Sequence, residues 1–469
     1  MKSKQKSLLS LTLLYTVGNL SSKVMSFVLV FFTTFYLTKE DVGEFDLILI
    51  TISLLSPFIT LQLTDAALRW LLDNHSKANS TKVFSTISVI LFISLIIFLI
   101  GIGLYSYYFP IKYIVLLYVL LFFQSFNMFF QQCIRGFGKN TMYVATGLIN
   151  TFIYVGLAIL SLVVFKLKVD GLLYANIIAT LITSIIIFVS GKLYKFWDIN
   201  SITFEFGKNL LKYSTPLIPN SLSWWAISSA NRYIILFYLG AAANGIFAIA
   251  YKLPTILLMF VNIFYLAWQE KAIINYDRED RDEYYSVVFE KYVRLLFSLS
   301  ILIVAGNKIL LSFIVSKEFF DAWQYTPLLL LSIVFSSMAG FYGTGYLSAK
   351  KTSGAFISSV FGGLATVGLS FLLIPKFGLY GASIAICIGY LVLLVIRIAH
   401  MKEIFKIDFP IKTFTMFMIL FSIVSLLNYG NIYVLMFNIL LTVLVLSFFN
   451  KDDLKILKSR VSSQLKKHN

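Results

Sequence analysis

The stretch FYLTKEDVGEF, residues 35–45, recurs as FYLGAAANGIF, residues 237–247. Phe35, Tyr36, Leu37, Gly43 and Phe45 reappear as Phe237, Tyr238, Leu239, Gly245 and Phe247, all at an offset of 202. Each copy joins two long apolar runs, so each reads as the outer turn between a first and a second membrane-crossing helix. A second echo follows later. Val155-Gly156-Leu157 leads to Lys166, Lys168 and Gly171, and Val367-Gly368-Leu369 leads to Lys376, Gly378 and Gly381. The chain therefore reads as two pseudo-symmetric six-helix halves plus two C-terminal helices. Because six is even, both halves enter the membrane the same way, as parallel repeats about an axis along the membrane normal.

Working outward, fourteen apolar segments are expected, at 9–36, 44–68, 83–109, 113–133, 142–165, 171–191, 212–239, 243–269, 287–310, 324–348, 354–374, 379–399, 411–428 and 431–449. Most reach the roughly 20 residues that cross a hydrocarbon core. Lipid offers the backbone no partners, so each crossing is an α-helix, and the segments lack the alternation of a β-barrel. The fold class is an all-α polytopic membrane protein. Its expected parts are an N-terminal half (1–191), a cytoplasmic interfacial linker (192–212), a C-terminal half (213–400), helices 13–14 (401–450) and a basic tail (451–469). The linker mixes Ile202, Phe204, Phe206, Leu210 and Leu211 with lysines, as a surface-lying segment does. With the N-terminus inside, 29 of the 39 Lys and Arg fall on the cytoplasmic side and seven on the outer side. That bias is the positive-inside signature, and it places both termini in the cytoplasm.

The composition, 59% hydrophobic and 13% charged, lies far from that of soluble domains. The net charge of +17 is accounted for by a cytoplasmic face that meets anionic membrane lipids, so nucleic acid is not an expected partner. The first segment has no small-residue cleavage site and reads as a retained helix. Cys133 and Cys387 sit in or at the end of apolar helices and read as buried hydrophobes. His75, His400 and His468 lie in cytoplasmic segments. No metal-ligand spacing and no phosphate-binding GxxxxGK[ST] loop occurs, and the outer loops are too short to hold a catalytic domain. No cofactor, no metal and no enzymatic activity is expected.

Three cations lie inside helices: Lys23, Arg232 and Lys252. At 1.5 Å per residue they sit roughly 20, 10 and 16 Å below the outer ends of their helices. Facing lipid, each would cost at least ~2.5–3.5 kcal/mol. Snorkelling is an alternative for Arg232, and a structural partner for Lys252. Parallel symmetry brings the first helix of each half to the centre, so a cationic chamber between the halves follows, and its natural ligand is an anion. Pro216 and Pro219 open helix 7 and are expected to kink it; Pro57 and Pro254 interrupt helices 2 and 8. Beyond the prolines, Trp224 and Trp225 with Asn220, Ser221, Ser223, Ser228, Ser229 and Asn231 form a polar, aromatic surface suited to sugars, the alternative being helix packing. Asn127 and Gln131, with Gln124 and Gln132, either line the chamber or bond across helices. Asp65, Arg69 and Glu270 lie near inner helix ends as interfacial charges or as gating and coupling groups.

At these residues the chain resembles the polysaccharide repeat-unit flippases of the multidrug/oligosaccharidyl-lipid/polysaccharide exporter superfamily. The resemblance rests on Leu37, Gly43 and Phe45; on Tyr213-Ser214-Thr215-Pro216-Leu217 leading to Asn231-Arg232-Tyr233, Gly240, Gly245 and Tyr251-Lys252; and on Leu372-Leu373-Ile374-Pro375-Lys376-Phe377-Gly378 with Gly381-Ala382. One position departs from the family pattern. Asn231 stands where an acidic residue often precedes the arginine, which puts any salt bridge or ion coupling through that position in question. The resemblance implies a bacterial inner-membrane protein that moves an undecaprenyl-pyrophosphate-linked oligosaccharide to the outer leaflet by alternating access, for O-antigen or capsule synthesis. It also implies downstream partners, a polysaccharide polymerase and chain-length machinery. Two rivals remain. A multidrug cation exporter of the same superfamily would need intramembrane carboxylates, whereas the deep charges read as all positive. A membrane-embedded glycosyltransferase or polymerase would need a large outer loop or an acidic pair.

Overall fold

The computed structural model describes residues 21–449, apart from 75, 111, 350–352 and 403. The start of the first segment and the basic tail lie outside the described residues, among which no strand occurs. The N-terminal half comprises α1 (Ser21–Tyr36), α2 (Lys39–Ile59), α3 (Leu63–Asp73), α4 (Lys77–Tyr108), α5 (Ile114–Gly136), α6 (Asn140–Val163) and α7 (Lys168–Ser190). After two short 3-10 turns comes a short helix, α8 (Phe204–Ser214). The C-terminal half comprises α9 (Leu217–Ser228), α10 (Asn231–Ala250), α11 (Pro254–Ile274), α12 (Arg281–Ile314), α13 (Thr326–Ser348) and α14 (Ser353–Met401), with α15 (Ile411–Leu427) and α16 (Ile432–Phe449) after it. Among the described residues nine helices are long and apolar enough to cross a membrane by length and composition. Large apolar side chains such as Phe237, Leu364 and Leu440 are exposed, as lipid contact requires. The chain is a multi-pass, all-α membrane protein.

Every expected segment has a counterpart, but several are broken, and the breaks follow local chemistry. Helix 2 splits into α2 and α3, because Leu61 and Gln62 both take left-handed φ, 48° and 54°, a conformation unfavourable for side chains with a Cβ. The prolines of helix 7 do not kink it, contrary to expectation. Pro216 is the N-cap of α9 and Pro219 lies in its first turn, where backbone N–H groups have no intrahelical acceptor and proline costs little. The interruption comes at Ser229, with φ −138° and ψ −24°, immediately before Asn231 and Arg232. Pro254 likewise begins α11. The residues before it, Tyr251–Leu253, form the turn that carries Lys252.

The repeat is visible in backbone geometry. Thr38 caps α2 in a capping box: its hydroxyl accepts from the Asp41 N–H, and its own N–H donates to the Asp41 carboxylate, both at 3.2 Å. Its counterpart at the 202 offset is Gly240, with φ 83°, which divides α10 into two arms. The second echo matches as well: Lys168 has φ 50° and Gly378 has φ 56°, and Gly378 bends α14 into two arms.

The two turns meet face to face. A Cβ on Gly43 would lie 1.9 Å from the Ala241 carbonyl oxygen, and one on Gly245 would lie 2.0 Å from that of Lys39. Residues 39 and 241, like 43 and 245, are related by the repeat offset, so this crossing sits on the pseudo-two-fold axis. Small residues let two membrane helices approach to backbone contact. The crossing lies at the lysine-poor end, which the charge bias assigns to the outside and which is called the outer end below.

Two apolar cores flank this seam. One comprises buried residues between Ile48 and Leu210. The other is built mainly from the C-terminal half, joined by Leu29 and Val30 of α1 and Val155, Ala158 and Leu162 of α6. Helix 1 therefore packs with the opposite half. The α15–α16 turn is pinned to α12: Lys308 Nζ donates to the Asn428 carbonyl at 2.9 Å, and Asn428 donates to the Val304 carbonyl at 2.6 Å.

Candidate functional site

The outer seam carries an ion pair just inside the glycine crossing. Arg232, in the first turn of α10, places Nη1 3.4 Å from Asp46 Oδ2 on α2. Asn244, on the second arm of α10, donates to the Gly43 carbonyl at 3.0 Å and to the same Asp46 oxygen at 3.2 Å. The Arg232 side chain is 5% exposed. Its guanidinium lies over the Phe247 and Tyr251 rings, 4.5 and 5.4 Å from their centroids, which attract a cation through their π faces. The contact with Asp46 is electrostatic only, since neither Nε nor Nη1 makes a hydrogen bond. The neighbouring Asn231 is fully buried, and neither of its amide atoms has a partner. Buried polar groups are normally satisfied, so Asn231 leaves hydrogen-bonding capacity unspent beside Arg232.

The three deep cations converge here. Lys252 lies within electrostatic range of Asp46, Arg232 and Lys23. It is exposed, and Lys23 of α1 is half-buried. Lys252 thus joins the Arg232–Asp46 pair of α10 and α2 to Lys23 of α1. Arg232 does not snorkel to the outer interface; the aromatic rings and Asp46 hold it inside.

Further inward lies a polar chamber of about 590 Å³, bounded by α2, α5, α7 and α9. Ser53, Gln62, Gln124, Asn176, Ser221 and Trp225 are among its lining residues, and none of the lining groups is charged. Gln62 Nε2 donates to Ser221 Oγ at 2.5 Å, linking the two halves. On the outer side of the chamber, Trp225 Nε1 donates to the Ile50 carbonyl at 3.3 Å, and the Thr51 and Tyr233 hydroxyls lie 2.7 Å apart. Those bonds separate the chamber from an apolar groove of about 720 Å³ bounded by α2, α4, α5 and α10.

Residues 8–268 match the model of a family described as polysaccharide biosynthesis protein. The chain belongs to that family. Its fold is shared with transporters of known structure. The lipid II flippase MurJ in an inward closed conformation superposes with a TM-score of 0.70 at 15% identity, covering 94% of this chain and 100% of that one. An inward-facing multidrug resistance MATE family transporter of the MOP superfamily gives 0.66 at 14% identity, covering 81% and 95%. The Vibrio cholerae MATE transporter VcmN, in a variant form, gives 0.60 at 13%, covering 86% and 98%. No curated protein sequence matches significantly. The superfamily expected from the sequence is thus the one whose fold this family member adopts.

Within this family member, the residues singled out by sequence divide into groups. Lys23, Arg232, Lys252 and Asn231 gather at the seam, and Trp225 lines the chamber. Trp224, next in line, turns the other way, toward Tyr390 at 6.4 Å and Arg397 at 5.5 Å. Asn127 and Gln131 are not brought to the chamber: Asn127 donates to Ser184 Oγ at 3.0 Å and Gln131 to Thr146 Oγ1 at 3.2 Å, both bonds across helices of the N-terminal half. Asp65 is exposed in the first turn of α3, near Arg135, while Arg69 pairs with Asp73 at 3.2 Å. Glu270 falls near the end of α11, its side chain outside the described residues.

Sequence reasoning missed three groups. The deep charges are not all positive, because Asp46 joins them. Its signal was its place three residues after Gly43, on the face that the repeat presents to helix 8. Asn244 sits one residue before Gly245 and carried the same signal. Arg397, near the end of α14, is 3% exposed. Its Nη1 donates to the Ala339 carbonyl at 2.7 Å and its Nε to Ser358 Oγ at 3.1 Å. Such carbonyl and hydroxyl bonds let a helix carry a charge without a carboxylate.

Proposed function

We propose that this protein is a flippase that carries an undecaprenyl-pyrophosphate-linked oligosaccharide from the inner to the outer leaflet of the bacterial cytoplasmic membrane. The observation that carries this reading is the convergence of Lys23, Arg232 and Lys252 beside an uncharged chamber rich in hydroxyls and amides. The chemistry of such a substrate divides the same way. Its pyrophosphate needs cations, and the Arg232 fork suits phosphate oxygens in particular. Its sugars need hydroxyl and amide partners together with an aromatic face, which the serines, Gln124, Asn176 and Trp225 supply. An unpaired hydroxyl entering hydrocarbon costs ~4–8 kcal/mol, so a polar passage removes a barrier that no oligosaccharide crosses unaided. The lipid tail stays in the bilayer while the halves rock about the glycine crossing. The family description and the fold shared with a protein named as a lipid II flippase support a lipid-linked cargo. O-antigen or capsule repeat units are the cargo we favour, with a polymerase and chain-length machinery acting next.

The multidrug reading is less favoured by the seam itself. Its carboxylate, Asp46, pairs with Arg232 and lies near Lys252, which in turn lies near Lys23, so the site is net positive and repels an organic cation. The test is genetic and chemical. In a deletion strain, mass spectrometry of lipid-linked intermediates is expected to show the complete repeat unit accumulating on its carrier, and wild-type protein clears it. A deletion strain with unchanged lipid-linked sugars but altered drug sensitivity refutes the proposal.

A further inference from the structure

The cation cluster has an internal anion, and that anion lies on the helix that closes the outer seam. Asp46 sits one helical turn below Gly43, where α2 and α10 are in backbone contact. Its carboxylate receives Arg232 at 3.4 Å and the Asn244 amide at 3.2 Å, both from α10. The same Asn244 holds the Gly43 carbonyl. Two of these three polar links between α10 and the outer part of α2 thus converge on one carboxylate. Arg232 is poised to leave it. The pair lacks hydrogen-bond geometry, two guanidinium nitrogens are unpartnered, and the Phe247 and Tyr251 rings hold the guanidinium by its face whatever its edge is bonded to.

We infer that Asp46 is a stand-in for the substrate's phosphate groups: it occupies Arg232 while the site is empty and is displaced when a pyrophosphate binds, which unlatches α2 from α10 and opens the outer end. This rests on the reading of the cations as a pyrophosphate site. It goes beyond that reading by making Asp46 a positioning residue that couples occupancy to opening. The physical logic is competition. A guanidinium presents a limited set of donors, and a diphosphate, with more oxygens and more charge than a carboxylate, takes them when Lys23 and Lys252 bind the same ligand. A ligand shifts a conformational equilibrium only by its differential affinity for the two states. Releasing Asp46 supplies that difference, because the closed seam requires the ion pair and the open one does not.

The test uses full-length protein in lipid vesicles, spin-labelled at Glu40→Cys and Leu239→Cys, exposed positions on either side of the seam; the native Cys133 and Cys387 are buried. The inter-label distance is read with and without undecaprenyl pyrophosphate. Binding of the same radiolabelled lipid is measured in parallel. In wild type the distance is expected to lengthen on adding the lipid. Asp46→Asn should show the longer distance without ligand and bind the lipid more tightly, within the roughly 5- to 150-fold range usual for coupled sites. Asp46→Glu, which keeps the charge, should restore ligand-dependent opening. A structural counter-ion alone predicts instead a weakened protein with no gain in affinity, and that result overturns the inference. If Asp46→Asn leaves the seam closed while the lipid still binds and Lys252→Ala abolishes binding, the latch is wrong and the cationic site stands. If no form binds the lipid but Asp46→Asn still opens the seam, the pyrophosphate reading and the displacement step fail together.

Discussion

Replacing Gly245 by alanine tests the seam most directly. The added Cβ would lie 2.0 Å from the Lys39 carbonyl oxygen, a backbone atom that no rotamer change can move aside. Bringing that distance out to ordinary contact at 3.4 Å parts α2 from α10 by about 1.4 Å. Forcing a methyl into a packed contact costs typically ~1–3 kcal/mol. Here the cost falls only on the state in which the seam is closed, so the open state gains by roughly 5- to 150-fold in population. Gly43→Ala should behave alike, since its Cβ meets the Ala241 oxygen at 1.9 Å. The double variant should cost less than the sum, because the first methyl has already separated the helices. The assay is labelling of Val42→Cys, at a buried position on α2 beside the crossing, by a membrane-impermeant maleimide added to intact cells. Labelling should be slow in the parent and several-fold faster with Gly245→Ala, at unchanged protein level. If labelling and transport are both indifferent to Gly245→Ala and Gly43→Ala, the crossing is not a moving contact and the rocking scheme is wrong.

Lys23→Ala and Lys252→Ala should each abolish or sharply reduce transport without loss of protein, as measured by accumulated lipid-linked intermediates; Arg232→Lys, which keeps the charge but loses the planar fork, should retain part of it. Reporter fusions after residue 277 and at the C-terminus should report cytoplasm, and fusions within 240–244 the outside; an opposite sign at any of them breaks the topology. An inside-negative potassium diffusion potential at equal pH should accelerate flipping of a labelled lipid-linked sugar in proteoliposomes, since two charges crossing 100 mV gain ~4–5 kcal/mol; a rate that follows only pH or sodium makes a carboxylate such as Asp65 the coupling group to examine. Arg397→Ala should lower thermal stability in detergent by ~1–3 kcal/mol through its orphaned acceptors, while any folded fraction keeps its diphosphate affinity.

The all-α, multi-pass character of the chain was legible because hydrophobic length is a property of the chain in lipid, independent of packing. The repeat was legible because backbone contact at the axis demands glycine on both sides, and the chain records that demand at Gly43 and Gly245. The depth of Lys23, Arg232 and Lys252 followed from counting residues along helices. Direction around the helix was harder to read. Trp224 and Trp225 are adjacent and polar-capable, yet 100° of helical rotation sends one to Tyr390 and the other to the chamber. Asn127 and Gln131 look like cavity groups in one dimension, and only the neighbours Ser184 and Thr146 show that they bond between helices. Asp46 was hidden for the opposite reason: it lies near a segment end, where a carboxylate is unremarked until the symmetric partner turn is folded against it. Proline was over-read, because its cost depends on position within the first turn, and that position is set by where the preceding helix stops.

Arg397 has a bearing on how the chain is made. A lone arginine near the end of a membrane segment must be neutralised or bonded as it leaves the ribosome's insertion machinery. The ring it lies over and the groups it donates to, Trp224, Ala339, Ala355, Ser358 and Ser359, all precede it in the sequence. Synthesis runs from the N-terminus, so when residue 397 is added, its full set of acceptors already resides in the bilayer. The arginine can therefore act as a terminal fastener, completing the C-terminal half only once α9, α13 and the first arm of α14 are in place. A segment inserted out of turn would find no acceptors and would bear the cost of a bare charge in lipid, which gives the assembly a built-in check on its own order.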